Sequence, residues 1–226
     1  MRSLDVARQM SESVPNLTFR VEGADVLAFA AVPTLVFKLC VDNAADEPIR
    51  SVALNTQIRI MATQRQYTPG EQERLGDLFG DSSRWGTTLK SLLWTHTVML
   101  VSPFSGSTAV DMPVSCTYDF DVVSAKYFHS LDDGEIPLEF LFSGTVYYAG
   151  EFGLQAVQIP WEKEAHFRMP VKVWKEMMER YFPNSAWLRL RKDTFDQLHR
   201  YKTRHGLPTW EDALDGLLSA HEEGER

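Results

Sequence analysis

Apolar positions along this chain change their period near Pro170. Upstream they mostly alternate with polar residues in short runs bounded by Gly, Pro, Asn and Asp, the pattern of strands with one buried face. Downstream they recur at the three-and-four spacing of helices. Residues 4–13 read as a short helix closed by Val14-Pro15-Asn16, and 17–21 as a strand. Residues 22–25 read as a turn at Gly23, and 26–32 as a further apolar run cut by Pro33. Residues 34–41 predict a strand with Leu35, Phe37, Leu39 and Val41 on one face and Lys38 and Cys40 on the other. The turn chemistry of 42–48 then leads into a strand over 49–61, with Val52, Leu54, Ile58 and Ile60 facing one way. A hairpin of these two strands is the expected contact.

Residues 67–91 interrupt the alternation. Thr68-Pro69-Gly70-Glu71 reads as a helix cap and Leu75, Leu78 and Phe79 follow at helical spacing, so a short helix and an irregular loop holding Trp85 are expected. Alternation resumes over 92–101, 109–123, 137–149 and 154–169, with turns at Pro103–Gly106 and Asp132–Glu135. In the tail, Val173, Trp174, Met177, Met178, Tyr181 and Phe182 form one stripe ended by Pro183. A second helix from Asp193 carries Phe195, Leu198 and Tyr201 inward and stops at Gly206. A third starts at Thr209, with Asp212 three residues on, and turns Trp210, Ala213, Leu214, Leu217 and Leu218 inward. The fold expected is mainly β: an antiparallel β-sandwich, immunoglobulin-like or related, over residues 1–170 with a helix-containing insertion at 67–91. A C-terminal α-helical extension, 171–226, is expected to pack on the sandwich, since three short helices hold too little core to stand alone.

The 226 residues suffice for one such core, and the net charge of −8 argues against a nucleic-acid surface. The first ten residues lack the apolar stretch of a signal peptide and no run approaches membrane-spanning length, so a cytoplasmic location is expected; two cysteines fit it.

Chemistry is sparse. Cys40 and Cys116 fall on strand faces of opposite character, which favours structural thiols over a redox or metal pair. His96 sits mid-strand, where a buried general base or an ordinary hydrogen-bonded histidine would fit; the other histidines are scattered. Asp119 and Asp121 share a strand face and are the weak candidates for a cation site or for acid and base roles in a metal-dependent hydrolase. No nucleophile elbow, phosphate loop or dinucleotide fingerprint occurs, and no cofactor is expected. Gly144 marks a bulge or a close backbone approach. Six Trp, seven Tyr and thirteen Phe are an excess that core alone need not explain. Trp85, Phe104, Phe152 and Trp161 stand beside Gly, Pro or polar loop residues and are the partner-binding candidates. For Trp85 an interface anchor and a cap on the sandwich end are equally good readings; for the others the cap is favoured.

The stretch 126–131 (KYFHSL), the stretch 138–148 (LEFLFSGTVYY) and the tail from Trp174 to Trp210 resemble a bacterial, mainly actinobacterial, family of unassigned function encoded near [NiFe] uptake hydrogenase genes. The resemblance implies an accessory role in hydrogenase assembly or function and carries over no catalytic residue. The expected function is thus a non-enzymatic protein that binds a protein partner, with homo-oligomerisation left open. A SecB-like chaperone for unfolded segments and a metal-dependent hydrolase are the alternatives.

Overall fold

In a computed structural model, residues 14–45, 47–116, 122–150, 153–184 and 190–224 are described. The expected helix at 4–13 and the candidates Asp119, Asp121 and Phe152 lie outside them. The chain runs as β1 (Leu17–Val26), β2 (Thr34–Asn43), β3 (Ile49–Ile60), α1 (Pro69–Arg74), α2 (Gly76–Phe79), α3 (Trp85–Thr88), β4 (Leu92–Val101) and β5 (Ser107–Ser115). It continues as α4 (Val123–His129), β6 (Glu135–Gly150), β7 (Gly153–Gln158), β8 (Glu164–Pro170), α5 (Val171–Tyr181), α6 (Lys192–Arg204) and α7 (Trp210–Gly224). It divides into two compact units, Met1–Ala186 and Trp187–Arg226.

The first unit is mainly β, with two antiparallel sheets packed face to face. One has the order β1-β2-β5; the other has the order β4-β3-β6-β7, with β8 also paired to β6. The alternation works as expected in β2 and β3: Leu35, Phe37, Leu39 and Val41, and Val52, Leu54, Ile58 and Ile60, are all buried. The layers meet through aromatic rings. Phe19 of β1 stacks on Phe142 of β6 with centroids 4.2 Å apart. Phe37 of β2 meets Phe140 of β6 edge-on at 5.2 Å. Each such pair adds about 0.5–1.5 kcal/mol beyond the area it buries.

The expected hairpin of β2 with β3 does not form. β2 pairs with β1 and β5, while β3 pairs with β4 and β6. Both strands bury one full apolar face, and in a sandwich such faces oppose each other across the core instead of lying side by side. The turn expected at 22–25 is a bulge between Val21 and Gly23 inside a continuous β1. The strand expected over 109–123 stops at Ser115, and Val123 opens a helix whose Tyr127 and Phe128 are buried. The run 154–169 is two strands separated at residues 159–163.

Helices close the ends. The Phe128 ring of α4 lies 4.4 Å from that of Trp174 in α5. α5 packs against β1, β2 and β8, and buries Val171, Val173, Trp174 and Met177. The first helix of the expected tail thus belongs with the sheets. α6 and α7 make up the second unit. Gly206, at φ 62°, ends α6, with the Leu207 amide reaching back to the Lys202 carbonyl. Thr209 and Asp212 cap α7 reciprocally. Phe195 packs on Trp210 at 5.2 Å. Ala213 is buried, but Leu214, Leu217 and Leu218, expected inward, are exposed. Among the described residues no helix is long and apolar enough to cross a membrane.

Candidate functional site

Period two on β6 and β8 builds a polar stripe on the outer face of the larger sheet. On β8, Glu164, His166 and Arg168 point outward while Ala165 and Met169 enter the core. The antiparallel register sets Glu139 of β6 opposite His166, with Glu164 two residues further along the same face. The donor atoms of Glu139, Glu164 and His166 all lie within 4.8 Å of one another. His166 Nε2 is 3.5 Å from Glu164 Oε1. Glu139, only 12% exposed, accepts from Arg59 Nη1 on β3 at 2.9 Å, and Arg59 is steadied by donating to Ser91 Oγ at 2.7 Å. One imidazole and two carboxylates are a donor set that a first-row divalent cation could use.

At its Arg168 end the stripe opens into a cleft of about 520 Å³ bordered by Arg65, Glu71, Asp132 and Glu135. The cleft wall is a latch between the insertion and the turn before β6. Thr68 caps α1: its Oγ1 accepts from the Glu71 amide, and Glu71 Oε2 accepts from the Thr68 amide at 2.9 Å. Glu71 Oε1 takes the Asp132 amide at 2.9 Å and Arg65 Nη2 at 2.7 Å. Arg65 also donates to the carbonyls of Asp133 and Glu135. Gly134 is needed here, because at φ 87° a Cβ would stand 3.2 Å from Arg65 Nη1. Arg74 binds the Ser130 carbonyl and the Asp132 carboxylate, and Lys175 donates to the Asp132 carbonyl. Burial pushes the Glu71 carboxyl up, but the two amides and the Arg65 guanidinium outweigh it and leave Glu71 below its ordinary value. The Arg74 hydrogen bond and charge likewise hold Asp132 low. Apart from Arg65 Nε, which is buried without a hydrogen-bond partner, these groups satisfy one another, and that is the signature of a structural clamp.

The aromatic candidates separate. Trp85 is half-buried, edge-on to Tyr67 at 5.3 Å and to Phe79 at 5.9 Å, and its indole donates to the Gly80 carbonyl. Tyr67 donates to the Ala62 carbonyl, which makes Tyr127 the donor in the 2.8 Å contact between the two hydroxyls. Trp85 therefore caps a small aromatic cluster. Phe104 is bridged to Ile49 and packs against the core. Trp161, on the turn between β7 and β8, is 89% exposed. His96 lies exposed on β4, opposite Gln57, which removes the buried-base reading. Both cysteines are free. Cys40 pairs with Ala109, whereas the Cys116 amide bonds the Pro33 carbonyl at the other end of β2. Seven residues of strand, about 24 Å at about 3.4 Å per residue, separate them, so no disulfide or shared metal site joins them.

The β1–β2 loop, residues 27–33, holds a feature that the sequence pattern did not single out. Phe29 is fully exposed at φ 60°, and Leu27 and Val32 beside it are exposed too. Tyr181 Oη of α5 reaches the Ala30 carbonyl at 3.1 Å and the Leu27 carbonyl at 3.3 Å, holding the loop by its backbone. The unbroken apolar run from Val26 to Val32 was the available signal, but an apolar run is more often buried. Glu139, Glu164 and His166 were hidden for another reason: their meeting depends on which strands pair and in what register.

Residues 14–226 match a family described as Family of unknown function (DUF6084). The chain belongs to that family. No curated protein matches its sequence significantly. Among solved structures, a CARDB domain from Pyrococcus furiosus in complex with di-metal ions is 13% identical; the match covers 69% of this chain and 91% of that one, at a TM-score of 0.28. A candidate late embryogenesis abundant (LEA) protein is 15% identical over 73% of this chain and 76% of its own, at 0.32. A β-glucosidase 3B from Thermotoga neapolitana in complex with α-D-glucose is 10% identical over 67% of this chain but only 17% of its own, at 0.24. At these scores nothing of their chemistry transfers to the DUF6084 chain.

Proposed function

We propose that this protein is a non-enzymatic accessory factor that binds another protein through the β1–β2 loop. The observation that carries the reading is Phe29. A bulky residue in the left-handed region costs about 1–2 kcal/mol, and here the ring gains no burial in return. Tyr181 nevertheless holds the loop in place. Strain kept at an exposed apolar tip fits a recognition element that inserts into a partner. The sequence resemblance names the partner to try first, a component or precursor of a [NiFe] hydrogenase. Phe29 replaces the candidate Trp85 as the anchor, because Trp85 is committed to Tyr67 and Phe79.

The test is binding of purified hydrogenase subunits to the wild type and to Phe29→Gly. Glycine tolerates the positive φ, so the variant keeps its melting temperature and loses most of its binding if the loop is the contact. Equal binding by both proteins removes the loop from the function, and no binding by either removes the hydrogenase partner.

A second reading, a SecB-like binder of unfolded segments, is favoured by the exposed Leu214, Leu217 and Leu218 of α7. Sedimentation decides it: a stable tetramer that captures unfolded chains supports it, and a monomer that captures none removes it.

A further inference from the structure

We propose that Glu139, Glu164 and His166 form a divalent-cation site on the outer face of the larger sheet, suited to Zn²⁺ or a similar first-row ion. Three features of the arrangement favour this. The donors sit on two hydrogen-bonded strands, with Glu139 and His166 in direct register, so their backbone positions are fixed before any ion arrives. Their donor atoms already converge to within 4.8 Å of one another, close enough for a single ion to touch all three with rotamer adjustment. Lastly, Glu139 is oriented by an outer partner: Arg59 holds Oε2, and Ser91 holds Arg59. A hydrogen-bonded ligand carboxylate is a recurrent feature of metal sites.

The donor set selects the ion. One imidazole nitrogen with two carboxylate oxygens suits Zn²⁺, Co²⁺ or Ni²⁺, whereas Ca²⁺ and Mg²⁺ prefer oxygen alone. Glu164 and His166 are half open to solvent, so water would complete the shell and the ion would exchange. Arg59 bears on the affinity from the other side, since its charge repels a cation while its hydrogen bond aims the ligand. Arg168 follows His166 on the same face of β8, about 7 Å further along at about 3.4 Å per residue, and places a second cation beside the open positions.

The test uses the intact chain, titrated with Zn²⁺ by calorimetry and followed by thermal shift. The wild type binds one equivalent, and its melting temperature rises. His166→Ala and Glu164→Gln, both at exposed positions, fold normally and each weaken binding by more than about tenfold. Glu135→Gln, on β6 but outside the trio, changes nothing. Excess Mg²⁺ or Ca²⁺ does not displace Zn²⁺. Absence of Zn²⁺ binding in the wild type overturns the site, and so does binding that survives both His166→Ala and Glu164→Gln.

Discussion

Arg65 and Glu71 form a largely buried ion pair at the edge of the cleft, Nη2 to Oε1 at 2.7 Å, with side chains only 8% and 2% exposed. Neither belongs to a long element: Arg65 follows a single 3-10 turn and Glu71 lies in a six-residue helix. The pair fastens the insertion to the turn that launches β6, and β6 is the strand to which β3, β7 and β8 all bind. Removing one partner leaves a buried charge unanswered, which costs about 3–5 kcal/mol. Glu71→Ala is therefore expected to be among the most damaging substitutions outside the apolar core. The double variant Arg65→Met, Glu71→Leu loses less than the sum of the two single changes. Urea unfolding of the four proteins measures both effects.

Stability should fall at both ends of the pH scale, for opposite reasons. Glu71 and Asp132 are held below their ordinary values of 4.5 and 3.8, so the unfolded chain binds protons first on acidification. Their contribution is complete above those values and is lost as pH drops through the folded ones. On the alkaline side, burial pushes the Cys116 thiol from 9.0 up to about 12, and burial likewise pushes Tyr67 from 10.0 up to about 12. The unfolded chain then releases protons that the folded one retains, so stability declines as pH rises past 9. Melting temperatures from pH 3 to pH 11 should trace a plateau with two shoulders, and Cys116→Ala should soften the alkaline one.

Gly144 cannot be replaced. At φ 134° a Cβ would lie 2.0 Å from the Ala53 carbonyl oxygen, which is backbone and has nowhere to go. Gly144→Ala should cost more than about 3 kcal/mol or prevent folding, by adding a steric clash to the dihedral strain. Gly106 is the comparison: at φ 67° it has open space around the same added carbon, so Gly106→Ala should cost only about 1–2 kcal/mol. Thermal melts of the two variants separate steric conflict from dihedral strain.

Trp85→Ala should lower stability while leaving partner binding intact. The ring is half-buried against Tyr67 and Phe79, and its loss exposes both. About 2 kcal/mol is expected, below the 3–5 typical of a fully buried aromatic. Circular dichroism melts check the first half of the prediction and a binding assay the second.

Local signals in the sequence were legible wherever one residue's neighbours decide its conformation. The alternation of residues 34–41 and 49–61, the cap at Thr68, the stripe from Val173 to Tyr181 and the stop at Gly206 depend on sequence neighbours, and each stands in the structure. The boundary at Val123 was missed because a short helix that buries Tyr127 and Phe128 shows too few turns for its period to stand out. The assignment of β2 and β3 to different sheets was missed because an apolar face specifies burial without specifying a neighbour. The Glu139, Glu164 and His166 cluster fails for the same reason: Glu139 lies 25 and 27 residues from the other two and meets them only through register. Phe29 is a different case, since an apolar residue at full exposure contradicts the rule by which apolar runs are read.

The order in which strands join each layer has a consequence during synthesis. The three-stranded layer has all its members once Ser115 has left the ribosome, whereas its partner still lacks β6, β7 and β8. Until Glu135–Gly150 emerges, β3 and β4 offer only part of the opposing wall: Phe19 lacks Phe142 and Phe37 lacks Phe140. The nascent chain therefore passes through a window in which a sticky half-sandwich awaits its lid, and slow translation over that interval would invite aggregation.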